Sequence, residues 1–186
     1  MAPAFDFDQQ NKQGTATAQF VIDRYAGLGM YPTDGRKSDA WASLLHVPVE
    51  IKCDTKTTGN FFLEEYSDAN LQTTGGAARS VKHNIPLYCY YLTGYGICYW
   101  FEAFALVDML NSYKKLFPNT PPKLVPNKGW QTSGYPISIG VVGAIAIAWH
   151  DLRQPVSPQM LTPLFKWAVN RSYLYKQPIH AHKVEI

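Results

Sequence analysis

Residues 47–53, Val-Pro-Val-Glu-Ile-Lys-Cys, limit the possible fold more than any other part of the chain. Every second residue from Val47 to Cys53 is apolar, and such alternation predicts a β-strand with one face in a core. Glu50 and Lys52 are two positions apart, so their side chains project together from the opposite face. Burying charged side chains costs several kcal/mol unless they pair with each other or bind a metal. The strand is therefore predicted to carry an ionic or metal-binding site.

Helical and strand patterns alternate along the rest of the chain. Apolar spacing and capping residues predict helices over Thr15–Leu28, Ala77–His83, Ala103–Leu116 and from Thr162 to about Asn170. Runs of β-forming residues predict strands over Asp39–Leu45, Gly59–Tyr66, Leu87–Leu92, Ile97–Phe101 and Ile137–Trp149, with a long loop from Pro118 to Gly134. This order predicts an α/β or α+β domain in three layers, with a mixed central β-sheet flanked by helices.

The length of 186 residues predicts a single domain over residues 14–186 with a helical C-terminal extension, preceded by a loose polar segment at residues 1–13. The net charge of +3 permits a polyanionic partner without requiring one. Three cysteines without CxxC spacing argue against a disulfide framework and fit a reducing compartment. No signal peptide is predicted, and the longest apolar run is too short for a bilayer. We therefore expect a cytoplasmic protein that does not associate with membranes.

Asp39 is the second acidic residue of the predicted site. It precedes Glu50 by eleven residues, at the start of a neighbouring predicted strand from which its carboxylate can approach Glu50. Two converging carboxylates form the hard-oxygen site that Mg²⁺ or Mn²⁺ prefers, and a lysine beside them can orient or activate a water for phosphodiester hydrolysis. A solvent-exposed Glu50–Lys52 pair is the simpler alternative. Asp34 and Asp54 rank below Asp39, because one lies in a turn and the other follows the strand.

The segment from Asp39 to Glu50-Ile51-Lys52 resembles the D-x(n)-(D/E)-x-K signature of the PD-(D/E)XK, or restriction-endonuclease-like, nuclease superfamily. Phage-type members often follow the lysine with a Gly-Asn-(apolar)-Phe-(apolar)-Glu strand, which is similar to residues 59–64 here. A Gly/Thr-rich loop, a basic residue and an aromatic strand come next in those proteins. Thr73–Gly76, Lys82 and Leu87–Leu92 match these features, and the similarity covers about residues 14–110.

The resemblance implies a mixed sheet flanked by helices, a Mg²⁺ or Mn²⁺ cofactor, and hydrolysis of DNA phosphodiester bonds. By position, Asp39, Glu50 and the backbone carbonyl of Ile51 would hold the metal. Lys52 would position or activate the attacking water. Glu64 matches a second acidic position, from which it would support the metal site or face a substrate phosphate as a further catalytic residue. The expected products carry a 5′-phosphate and a 3′-hydroxyl.

The first predicted helix departs from the pattern of many relatives, in which a glutamate from this helix reaches the metal site. Thr15–Leu28 contains no Glu, and Gln19 and Asp23 are the candidate accessory residues in its place. Superfamily members can lose catalysis and keep only binding. The alternative function is therefore a catalytically inactive nuclease-fold protein that binds nucleic acid or another protein. A third hypothesis is a structural or assembly protein of unrelated fold.

DNA is the expected partner. The candidate contacts to its backbone are the basic residues Arg79, Lys82, Lys123 and Lys128. Cutting both strands of a duplex would favour a symmetric homodimer, with the aromatic strand Leu87–Leu92 or the C-terminal helix as its interface. The resemblance fits a phage-encoded endonuclease or exonuclease, or a junction resolvase, acting in the host cytoplasm. No GxSxG, P-loop or GxGxxG-helix motif supports another enzyme class.

Overall fold

The computed structural model describes the backbone of residues 7–34, 38–127 and 130–175, and the side chains of residues 14–34, 38–127 and 130–171. The α-helices are Phe7–Arg24 (α1), Gly76–Lys82 (α2), Ala103–Leu116 (α3), Ile139–Gly143 (α4) and Thr162–Tyr175 (α5). The β-strands are Met30–Pro32 (β1), Ala40–Ala42 (β2), Val47–Asp54 (β3), Asn60–Asp68 (β4), Thr73–Thr74 (β5), Leu87–Leu92 (β6), Ile97–Glu102 (β7), Lys123–Pro126 (β8), Gln131–Ser138 (β9) and Ala148–Asp151 (β10). Short 3₁₀ turns lie at Ala26–Leu28 and Pro158–Leu161.

A six-stranded sheet forms the centre of the fold, in the order β1-β2-β3-β6-β7-β10. β3 and β6 pair in parallel, and the other neighbours pair antiparallel. Antiparallel neighbours need only short turns, whereas a parallel pair requires a crossover outside the sheet. The crossover here leaves at Asp54, returns at Leu87, and contains β4, β5 and α2. It therefore brings residues 60–82 near the strand that carries Glu50 and Lys52.

Each face of the central sheet buries its own hydrophobic core. On one face, Val49 and Ile51 of β3 pack with apolar residues of α1 and α5. On the other face, Tyr88, Tyr90 and Phe101 pack with α3 and with strands of a second sheet. Each fully buried large apolar side chain contributes roughly 1.5–3 kcal/mol. The alternation of β3 sends its apolar side chains into the first core and turns Glu50 and Lys52 toward the crossover.

The second sheet has four antiparallel strands in the order β5-β4-β9-β8. Along β4, Phe61 and Leu63 are buried in the second core, whereas Asn60, Phe62 and Glu64 are only partly buried. This period of two gives the small sheet an apolar inner face and a mixed outer face. The outer face lies beside the end of β3.

The predicted fold class is confirmed: the chain is an α+β domain with a mixed central sheet flanked by helices. The β6–β7 hairpin, α3 and the strands around Glu50 and Glu64 lie within a few residues of their predicted bounds. The first helix starts earlier than predicted, at Phe7, and ends at Arg24 before a 3₁₀ turn. Gly29 closes that turn with φ of +61°, a left-handed conformation that glycine adopts readily.

Two predicted segments were wrong. Residues 137–149 do not form one strand, because the chain turns into α4 after Ser138 and resumes a strand only at Ala148. Ile139, Val142 and Ile145 recur at every third position and pack into the second core, a spacing that suits a helical turn. The predicted loop from Pro118 to Gly134 contains the β8–β9 hairpin, in which Lys123 pairs with Gly134.

The predicted dimer interface on Leu87–Leu92 was also wrong. This strand, β6, lies between β3 and β7, and all six of its residues are buried. Its continuous apolar and aromatic sequence is that of a strand with a core on each face. It therefore offers no surface to a second subunit.

Candidate active site

Asp39 lies beside Glu50 because it is tied to the backbone on both sides of that residue. Its N–H donates to the Val49 carbonyl at 3.1 Å, and its Oδ2 accepts a hydrogen bond from the Ile51 N–H at 2.7 Å. β2 begins only at Ala40, so the Asp39 carboxylate supplies the acceptor that this buried N–H requires next to the strand end. The two predicted acidic residues are thus brought together.

Glu50 is largely buried, with 18% of its side chain exposed. The Arg79 guanidinium of α2 lies 3.6 Å from its Oε1. Burial and the neighbouring Asp39 charge raise the pKa of Glu50 to about 7, against the opposing charges of Arg79 and Lys52. Burial also raises the pKa of Asp39, although the bond from Ile51 favours its charged form. A further cation beside these two carboxylates would therefore be stabilised.

Lys52 and Glu64 form an ion pair between β3 and β4. The Lys52 side chain is 34% exposed and the Glu64 side chain 13%, so the pair is partly shielded from water. Burial by itself lowers the pKa of Lys52, but the Glu64 carboxylate and the charges of Asp54 and Glu50 outweigh it, and the pKa is raised. Lys52 is therefore held as a cation next to the two carboxylates.

Gly75 and Gly76 allow α2 to begin in direct contact with Glu64. A Cβ on Gly75 would lie 2.6 Å from a backbone nitrogen of β4 and 3.2 Å from Glu64 Oε2. Gly76 has φ of +50°, and a Cβ there would lie 3.1 Å from the Glu64 Cβ. Glycine is the residue that permits both the close approach and the left-handed backbone. This approach carries Arg79, one helical turn later, to Glu50.

The donor set suits a hard divalent cation. Mg²⁺ in proteins is commonly held by one or two carboxylates, with waters and substrate phosphates completing its octahedron, and Asp39 and Glu50 supply two. Within the described ranges, no group of three or more His, Cys, Asp or Glu side chains could hold a metal. The two carboxylates of Asp39 and Glu50 leave further coordination positions of such an ion for waters and a substrate phosphate. The Ile51 carbonyl stays a predicted ligand.

Gln19 and Asp23, the predicted accessory residues, lie apart from this cluster. Both are exposed, and Gln19 Nε2 donates to Asp23 Oδ1 at 2.8 Å. α1 packs through its apolar residues on the sheet face opposite to Glu50 and Lys52. The two residues thus form a surface pair with each other.

The predicted DNA contacts have different surroundings. Arg79 belongs to the charged cluster through its ion pair with Glu50. Lys82 is exposed near the end of α2. Lys123 lies in β8 and lines a groove that begins at Lys52, whereas Lys128 is outside the described residues.

Tyr90 and Asp54 add a polar link that the sequence pattern does not predict. The Tyr90 hydroxyl donates to Asp54 Oδ2 at 3.2 Å and accepts from the Phe62 N–H at 3.2 Å, which joins β6, β3 and β4. A buried tyrosine hydroxyl needs such partners. The parallel pairing of β3 and β6 sets Tyr90 opposite Lys52. This pairing joins strands that are distant in sequence, so the alternation of residues within one strand does not predict it.

Comparison with protein-family models, with curated proteins and with solved structures finds no match to this chain. The family resemblance of the sequence motifs thus remains a prediction, and the geometry of the charged cluster carries the functional argument. Among the described residues, no helix combines the length and apolarity needed to cross a membrane.

Proposed function

We propose that the chain is a Mg²⁺- or Mn²⁺-dependent deoxyribonuclease that hydrolyses phosphodiester bonds at Asp39, Glu50 and Lys52. The observation that carries this proposal is the pair of adjacent, partly buried carboxylates with a lysine held as a cation on the same strand face. Two carboxylates of raised pKa and a neighbouring cation suit a divalent ion and a phosphate. The D-x(n)-E-x-K resemblance supports the same reaction.

Each side chain has a role that follows from its contacts. Asp39, Glu50 and the Ile51 carbonyl would hold the ion, which when bound supplies Lewis-acid stabilisation of the phosphate and activation of water. Glu64 keeps Lys52 charged and in position, so that its ammonium stabilises negative charge on the phosphate. Arg79, which pairs with Glu50 in the chain alone, would be available to a phosphate once a cation neutralises that carboxylate.

A second candidate function is a nuclease-fold protein that binds DNA, or another protein, without cutting. The specific observation in its favour is the internal neutralisation of the cluster: Arg79 pairs with Glu50, and Lys52 pairs with Glu64. The exposed pair of Gln19 and Asp23 on α1 adds no ligand to the cluster. Because the charges of the cluster neutralise each other, the cluster is compatible with a protein that binds its partner without a metal ion and without catalysis.

A cleavage assay separates the two functions. Purified full-length protein and its Lys52→Ala variant are incubated with linear, circular and branched DNA in Mg²⁺, Mn²⁺ or EDTA. We expect metal-dependent cutting that falls by about 100-fold or more in Lys52→Ala, because a residue that stabilises the reacting groups typically contributes that much. Glu65→Gln is the matched control, since Glu65 neighbours Glu64 in β4 but pairs with Lys114 of α3.

The outcomes point to different functions. Cutting that survives in EDTA, or equal activity in Lys52→Ala and Glu65→Gln, would overturn the proposed site. DNA binding without cutting in either metal would favour the second candidate.

A symmetric homodimer in the host cytoplasm belongs to the same proposal where the substrate is a duplex cut on both strands. With β6 excluded as an interface, the surface of α5 remains the predicted contact. Light scattering of the full chain with and without duplex DNA measures the assembly. A monomer in both conditions would contradict the dimer and leave the cleavage assay unaffected.

A further inference from the structure

A groove of about 300 Å³ begins at the Lys52–Glu64 ion pair and runs between the two sheets. One wall is formed by the end of β3, the loop after it, and Gly14 and Thr17 of α1, and the other wall is the outer face of the smaller sheet. Side chains of β4, β8 and β9 line that second wall, among them Asn60, Phe62, Lys123, Val125 and Pro136. The volume is at the lower end of the range for small-ligand sites.

Two lysines give the groove a positive charge on each wall. Lys56 lies in the loop after β3, and Lys123 lies at the start of β8. Both are exposed, and neither forms an ion pair within the described part of the chain. The acidic groups of the groove have partners, since Glu64 pairs with Lys52 and Asp54 accepts a hydrogen bond from the Lys56 N–H at 2.9 Å. The two lysines are thus available to an anionic ligand.

The ring of Phe62 gives the groove an apolar surface beside these charges. A Cβ on Gly134 of β9 would lie 2.8 Å from Phe62 Cζ, so the absence of a side chain there leaves space for the ring. Val125 and Pro136 extend the apolar lining. Aromatic surfaces in a basic groove accept the faces of nucleic-acid bases with little regard to sequence, because every base has a π-face.

We propose that this groove binds single-stranded nucleic acid, with one nucleotide of the strand seated next to the Lys52–Glu64 pair. Lys56 and Lys123 bind the backbone phosphates on its two sides, and Phe62 stacks on the base. The groove is small enough to take a single nucleotide, and a base that is paired and stacked inside a duplex is not free to lie on Phe62. The inference rests on the proposed function in that the phosphate to be cut lies at Asp39 and Glu50. The substrate is accordingly an unpaired strand, such as a free end or a branch.

The test is a binding measurement without turnover. Fluorescence anisotropy in EDTA compares a labelled single strand of about ten nucleotides, comparable to the site sizes of known single-strand grooves, with the same strand annealed to its complement. We expect the full-length protein to bind the single strand at least about 10-fold more tightly, with affinity that falls as salt rises because phosphate contacts release counterions.

Charge-reversal variants locate the contact. Lys56→Glu and Lys123→Glu should each weaken single-strand binding by about 10-fold, and Lys123→Arg should retain it. Lys115→Glu is the matched control, because Lys115 is an exposed lysine of α3 that does not line the groove. Circular dichroism confirms that each variant is folded.

Tighter binding of the duplex, or equal losses in Lys123→Glu and Lys115→Glu, would overturn the groove as a single-strand site. Groove-dependent binding of the single strand by a protein that cuts no DNA in Mg²⁺ or Mn²⁺ would support the groove and reject the nuclease. Failure of the two proposals is therefore distinguishable.

Discussion

The surroundings of Glu50 disfavour its charged form and so lower the stability of the metal-free protein. Its carboxylate is largely buried next to that of Asp39, and its pKa is raised to about 7 from an ordinary value of 4.5. The folded chain therefore binds more protons than the unfolded chain between these two pH values. Without a divalent ion, the contribution of Glu50 to the free energy of unfolding falls as pH rises through this window.

Glu50→Gln should consequently stabilise the metal-free protein. At a pH above 7 in EDTA, we expect a gain in the free energy of unfolding of up to about 3 kcal/mol, and below pH 4.5 we expect no gain, because Glu50 is then protonated in both states. Thermal denaturation across this pH range measures the difference. A loss of stability in Glu50→Gln above pH 7 would show that Glu50 is a stabilising partner of Arg79. Glu65→Gln is again the control.

The core of the candidate site is predictable from sequence because its geometry is local. Glu50 and Lys52 share a face by the period of the strand, and Asp39 approaches them through the adjacent antiparallel strand. The ion pairs of Glu50 with Arg79 and of Lys52 with Glu64 depend on the path of the crossover, which no short pattern specifies. Spacing could suggest a phosphate contact for Arg79 but could not reveal its carboxylate partner.

At the scale of elements, the contact between α2 and β4 determines where Arg79 lies. This contact has no room for a side chain at Gly75, where the nearest atom to an added Cβ is a backbone nitrogen at 2.6 Å. The backbone cannot move aside as a flexible side chain could. The start of α2 is therefore the element boundary most sensitive to substitution near the site.

Gly75→Ala should destabilise the fold by about 1–3 kcal/mol, the usual cost of overpacking, and should weaken cleavage by shifting α2. Chemical denaturation and the cleavage assay measure the two effects. Gly140→Ala in α4 is the matched control, since its nearest contact would be a serine oxygen at 3.8 Å. Equal stability of the two variants would contradict the tight contact.

Helices and strands were predictable where the apolar residues recur with a clear period. The predictions failed where only the composition of a segment was informative. The alternation in β3 and β4 and the helical spacing of α3 gave bounds close to those observed. Residues 137–149 are apolar except for Ser138, and such a run is compatible with a strand or a buried helix. Only packing against the second core decides between them. The β8–β9 hairpin escaped prediction because Lys123–Pro126 is an edge strand of only four residues, with prolines before it and at its end.

At the scale of the whole molecule, His150 joins three parts of the chain that are distant in sequence. Its Nδ1 lies 2.8 Å from the Tyr25 hydroxyl, just after α1, and its Nε2 lies 2.9 Å from the Met160 carbonyl in the second 3₁₀ turn. The carbonyl only accepts, so Nε2 carries the proton and Nδ1 accepts from the tyrosine. His150 is thus buried in its neutral form, and burial lowers its pKa.

This arrangement predicts acid sensitivity. Below its ordinary value near 6.5, His150 gains a proton in the unfolded chain before it does in the folded chain, so stability from this residue is lost as pH falls. His150→Gln should be less stable than wild type by about 1–3 kcal/mol at neutral pH, the cost of the broken buried hydrogen bonds. The difference should shrink as pH falls below 6.5. Thermal denaturation of both proteins measures it, and a constant difference would contradict the neutral assignment.

Part of the groove wall comes from a stretch of chain separate from the one that carries the charged cluster. The residues proposed for catalysis lie between positions 39 and 79, whereas the far wall of the groove includes a single hairpin, Lys123–Ser138. The turn of a hairpin and an edge strand such as β8 can change in sequence or length while the inner strands stay in place. Descendants of such a chain could change which nucleic acids they admit by divergence in that hairpin alone. Chemistry and substrate choice would then evolve at independent rates within one small domain.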